Sequence, residues 1–154
     1  MVNELLPQRA DNAYRGSRIA LVFFVLVVLL KLVIGVNSIF MGHHVASSAD
    51  GIPLDTFTPA GTQTVVSLFA SLGLSQIVIC LVGILVLIRY RTLVPFMFSL
   101  LLLDQLSRKL INHYLPVPRT GSPPGSIVTL VLLAMMVVGL ALSLWRRGDT
   151  QKQE

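Results

Sequence analysis

Four residues in a largely aliphatic chain could do polar chemistry together: Lys31, Gln76, Asp104 and Arg108. Two of them stand in LLLDQLSRKL, residues 101–110, where a run of leucines gives way to an acid, an amide and two bases. A carboxylate beside an ammonium and a guanidinium can form structural ion pairs, relay a proton or hold a charged solute. Which of these applies depends on the segments that carry the residues.

The 154 residues allow one domain, and 54% hydrophobic against 12% charged residues lies outside the range of soluble globular chains. The expected fold is all-α, an integral membrane four-helix transmembrane bundle whose first partner is the lipid bilayer. The net charge of +5 comes in short clusters beside apolar runs. A nucleic-acid surface would instead need a continuous basic face with interleaved aromatics, so no nucleic-acid partner is expected. Cys80 is the one cysteine and lies inside an apolar run, which leaves no intramolecular disulfide and no CxxC pattern.

A hydrocarbon core of about 30 Å takes roughly 20 helical residues to cross. Segments 19–41, 65–88, 93–112 and 126–145 meet that length within a single transmembrane domain, 1–154, that ends in a polar cytoplasmic tail, 146–154. Arg15 and Arg18 precede the first run in the manner of a signal peptide, but the nearest small-residue stretch, 46–49, is too distant for ordinary cleavage. The first segment therefore reads as an uncleaved signal anchor. Thr58 followed by Pro59 predicts a capped helix start ahead of the second apolar run, and LPVPRTGSPPGS forces an extended turn before the last one.

Orientation follows from Lys and Arg placement. With the N-terminus inside, eight bases are cytoplasmic: Arg9, Arg15, Arg18, Arg89, Arg91, Arg146, Arg147 and Lys152. Three, Arg108, Lys109 and Arg119, fall outside, and Lys31 lies within the bilayer. Both termini are expected in the cytoplasm of a bacterial inner (cytoplasmic-type) membrane, with loops 42–64 and 112–125 outside.

Counted from the cytoplasmic ends, Lys31 is twelve residues above Ile19, Gln76 twelve above Ile88 and Asp104 twelve above Thr92. At 1.5 Å per residue each falls roughly 18 Å in, near mid-membrane. A lone charge there costs from about 2.5 kcal/mol upward, so Lys31 and Asp104 should face inward and pair, with Arg108 one turn outward. Lys31, Gly35, Ser38 and Gly42 share one helical stripe, and Gly73, Gln76, Cys80 and Gly83 share another, as packed faces of membrane helices do. The last span offers only apolar residues at this depth, Leu133, Ala134, Met135 and Met136, and reads as a packing partner.

The preferred reading is an internally satisfied network that fixes helix register in a structural or accessory membrane subunit, within a larger membrane complex or a homo-oligomer. One alternative is a small proton- or solute-coupled carrier using the same polar layer. Another is a quinone-binding or redox-complex membrane subunit. No Ser-His-Asp or Cys-His arrangement, phosphate-cradling glycine loop or paired catalytic carboxylates has supporting context, so no catalytic residue is assigned and no enzyme is expected. His43, His44 and His113, with Asp50 and Asp55, match no zinc spacing; neither a metal nor another cofactor is expected.

The four short-looped spans, the junction LVLIRYRTLVPFMFSLLLLDQLSRKL and the proline-rich turn after it resemble small bacterial inner-membrane proteins of the DoxX-like kind. The resemblance covers most of the chain, with Arg108 its one sharp position. Some members of that broad group are associated with membrane redox complexes, a role the resemblance allows here, although the chain has no cysteine pair or evident cofactor ligand.

Overall fold

A computed structural model describes residues 12, 14, 16–121 and 123–145. Arg9, Arg15, Arg146, Arg147, Lys152 and the polar tail lie outside the described residues. Four long helices carry the fold: α1 (Arg18–Phe40), α2 (Pro59–Arg89), α3 (Val94–Tyr114) and α4 (Pro124–Leu144). There is no strand among the described residues.

Local signals set the helix ends. The Ser17 hydroxyl accepts from the Ile19 N–H at 3.3 Å and starts α1. At α2 the Thr58 hydroxyl accepts from the Gly61 N–H at 3.2 Å with Pro59 in the first turn, as the sequence predicts. Pro95 and Pro124 also stand in first turns, where a missing N–H costs no helical bond. A single 3-10 turn, Arg91–Leu93, separates α2 from α3.

Packing orders the helices alternately up and down. Phe24 near the start of α1 meets Phe98 near the start of α3 edge to face, 5.2 Å between centroids at 72°. The absent side chain of Gly83, near the end of α2, would meet Val28 and Phe24. Further along, Gly35 and Gly73 stand so close that a Cβ on Gly35 would lie 3.0 Å from the Gly73 carbonyl oxygen. The Phe98 ring also covers Gly139 of α4, and the Ser17 N–H donates to the Leu142 carbonyl at 3.3 Å. The core of Phe24, Val27, Val28, Cys80, Met97, Phe98, Leu101, Leu132 and Met136 fills the space between.

The outward faces are apolar. Ile19, Val22, Leu29, Val33, Leu68, Leu74, Leu85, Ile127, Leu130 and Val137 all stand exposed. α1, α2 and α4 are each long and apolar enough to cross a membrane. Helix α3 falls short of that composition, because Asp104, Arg108 and Lys109 put three charges among its leucines, with Gln105 and Ser107 between them.

Residues 42–57, read from the sequence as open loop, instead fold into a cap over one end of the bundle. A helical turn, Gly42–His44, runs into a π-turn, Val45–Ala49, closed by the Asp50 N–H on the Val45 carbonyl at 3.0 Å. Ala46, Ile52 and Leu54 are buried there against Val65 and Phe69. Gly51 turns the chain with φ of 69°, a conformation that costs glycine nothing. Its carbonyl accepts from the Thr120 N–H at 2.8 Å and the Thr120 hydroxyl at 3.1 Å, which ties the cap to the approach to α4.

Candidate functional site: a buried polar layer

Lys31 is carried into the bundle by α1, with Val27, Val28 and Gly35 on the same buried side, and is only 3% exposed. A buried ammonium needs an acceptor for each of its three N–H groups. Three acceptors surround Nζ: Gln76 Oε1 of α2 at 3.2 Å, Gln105 Oε1 of α3 at 3.2 Å and Asp104 Oδ2 of α3 at 3.5 Å. One side chain thereby joins three helices.

The layer continues on both sides of Lys31. Gln76 points its Nε2 at Cys80 Sγ one turn away, 3.8 Å, so both ends of the amide are used. On α3 the second carboxylate oxygen of Asp104 accepts from Arg108 Nε at 2.9 Å. Side-chain exposure rises along this chain from 4% at Lys31 to 21% at Asp104 and 36% at Arg108. The polar row therefore runs from the bundle axis outward to the surface of α3.

All four residues singled out in the sequence, Lys31, Gln76, Asp104 and Arg108, meet in this row. Asp104 does not choose between its two cations; each takes a different carboxylate oxygen. Gln105 was not singled out, although it is the amide of LLLDQLSRKL. The signal was present: two adjacent residues differ by about 100° around a helix, so a helix edge aimed between them can present both to a neighbour.

No protein family, curated protein or solved structure matches this chain.

Away from the row, several helix hydroxyls are bonded within their own helix. The hydroxyls of Thr64, Ser67, Ser71, Ser75 and Ser99 each donate to the carbonyl four residues back at 2.9 to 3.1 Å. His43, His44 and His113 are exposed; His44 Nδ1 lies 3.4 Å from the Ser48 hydroxyl and His113 stacks edge-on with Tyr114. Among the described residues no three His, Cys, Asp or Glu side chains gather in a metal-holding group. At the opposite end of the bundle the Tyr14 and Ser143 hydroxyls are buried beside one another. In the cap, burial pushes the Asp50 carboxyl above its ordinary range, and Arg119 nearby works against that shift.

Proposed function

We propose that this chain is a four-span structural or accessory subunit of a bacterial cytoplasmic-type membrane, with both termini cytoplasmic, in which the Lys31 layer holds three helices in register. The observation that carries the reading is the saturation of Lys31: three donors meet three acceptors from two other helices. A carrier's binding residue would have to leave a valence for its cargo, and this ammonium leaves none. The antiparallel order of α3 between α2 and α4 supports its counting as the fourth span, since the three apolar helices fix the direction of the one between them. Arg18, Arg89 and Arg91 at one end support the cytoplasmic placement of that end.

The resemblance to DoxX-like inner-membrane proteins belongs to the same reading, as does assembly into a larger membrane complex. Native mass spectrometry of gently extracted protein tests it. Stable association with a larger partner or with further copies supports an accessory subunit. Monomer under every mild extraction, together with solute flux in proteoliposomes that Asp104→Asn abolishes, supports the carrier instead. One feature favours that second reading: the polar row reaches the surface of α3 through Asp104 and Arg108.

A further inference from the structure

Charge in the polar row does not balance. Asp104 is the one anion and it serves two cations, Lys31 at 3.5 Å and Arg108 at 2.9 Å, which leaves one positive charge over. The excess belongs at Arg108, because Lys31 is enclosed by acceptors while the Arg108 side chain is 36% exposed. Only Nε of its guanidinium is engaged; the two Nη groups have no partner among the described residues. Lys109 follows and is exposed, and Asn112, one turn outward on the same stripe, is exposed as well.

A guanidinium with its fork open, an ammonium beside it and an amide one turn on make a donor set suited to phosphate, whose oxygens accept several charge-assisted bonds at once. The level suits it too. Arg108 is six residues short of Tyr114, the last residue of α3, or roughly 9 Å along the helix axis. A long side chain from that depth snorkels to the headgroup layer, where phospholipid phosphates lie and where tyrosine is at home.

We propose that Arg108, Lys109 and Asn112 form a phosphate-binding site at this end of α3, occupied by an anionic phospholipid. That source rests on the four-span reading above; the charge count and the open guanidinium do not. The bound phosphate offsets the positive charge left over at Arg108, and Lys109 adds a further cation to hold it.

The full-length protein, purified in mild detergent, is offered phosphatidylglycerol, phosphatidylcholine or inorganic phosphate. Retained lipid is counted by native mass spectrometry and thermal unfolding is followed alongside. Phosphatidylglycerol is expected to be retained in preference to phosphatidylcholine and to raise the unfolding temperature. R108Q and K109Q should each weaken retention about tenfold, equivalent to about 1.4 kcal/mol. R108K, which keeps the charge but loses the fork, should fall between. Lys109 has no partner among the described residues, so K109Q keeps the test decisive if R108Q fails to fold. Stabilisation by inorganic phosphate that K109Q removes, without lipid preference, keeps the phosphate site and assigns it to a free anion. Equal retention of both lipids with no effect of inorganic phosphate, or retention unchanged in both glutamine variants, overturns the proposal. Membrane-impermeant labelling of S48C in intact cells reads the threading independently, so its failure and that of the phosphate site are told apart.

Discussion

Lys31 Nζ and Asp104 Oδ2 stand 3.5 Å apart between α1 and α3, and the other oxygen of the same carboxylate holds Arg108 at 2.9 Å. The pair is therefore asymmetric: Asp104 has a second cation, whereas Lys31 has no second anion. A mutational cycle should expose that asymmetry.

Asp104→Leu strips Lys31 of its only counter-charge and frees Arg108, and is expected to destabilise the detergent-solubilised protein by about 3 kcal/mol or more. Lys31→Met should cost less, because Asp104 keeps its Arg108 bond. The double change should recover much of the Asp104→Leu loss, with a coupling of about 0.5–3 kcal/mol. Chemical unfolding of the four proteins measures it; additive losses would show that the two side chains do not depend on each other.

Gln105→Leu removes one of the three acceptors around Lys31 without touching charge. Leaving one N–H of a buried ammonium unmet should cost about 1–3 kcal/mol. Ser107→Leu, on the exposed side of the same helix, should stay within about 0.5 kcal/mol and serves as the comparison. Equal effects at the two positions would remove Gln105 from the layer.

Helices α1 and α2 approach closely at Gly35 and Gly73. A Cβ on Gly73 would lie 2.6 Å from the Gly35 carbonyl oxygen and 2.9 Å from Ser38 Cβ, with backbone on one side that cannot swing away. Gly73→Ala should cost about 1–3 kcal/mol by forcing the helices apart. At Gly83 the nearest atom is a Val28 methyl at 3.2 Å, which can shift, so Gly83→Ala should be milder. Thermal unfolding ranks the two, and the reverse order would contradict the packing.

In the cap, the Asp50 carboxyl is raised in the fold, chiefly by burial. A carboxyl whose folded pKa lies above its unfolded one favours folding when protonated. The contribution is fully present below the unfolded value and is lost as pH rises through the folded one. Acidification from neutral pH should therefore tighten the cap until the ordinary carboxylate range is passed, and Asp50→Asn should abolish that dependence. Amide exchange at Ile52, whose N–H bonds the Ala46 carbonyl at 2.9 Å, follows the cap directly. Protection that declines on mild acidification in the parent protein would reverse the sign.

The threading gives a further outcome. Ser48→Cys, in the exposed part of the cap, should react with a membrane-impermeant reagent in intact cells, and Glu154→Cys should not. The opposite pattern would invert the reading of eight basic residues against three.

Much of the polar layer was legible in the sequence because helix geometry converts residue count into depth. Counted along the sequence from Ile19, Ile88 and Thr92, Lys31, Gln76 and Asp104 each stand twelve residues in, and a charge at that depth has strong reason to find a partner. The Thr58 cap and the small-residue stripes through Gly35 and Gly73 were legible for the same reason: both are governed by residues within a few positions along one helix.

Only the tertiary structure decided which neighbour completes the layer and how the far end closes. Gln105 joins Lys31 because of how α3 is rotated about its axis against α1, a quantity set by Phe24, Phe98 and Gly139 packing together across three helices. Thr120 bonds Gly51 across 69 residues of chain, and the π-turn before Gly51 buries Ala46 against residues of α2. Hydrophobic periodicity reports which face of a helix turns inward, but it carries no information on rotation between helices or on hydrogen bonds between distant loops. Those are fixed by the simultaneous fit of side chains that no short stretch of sequence contains.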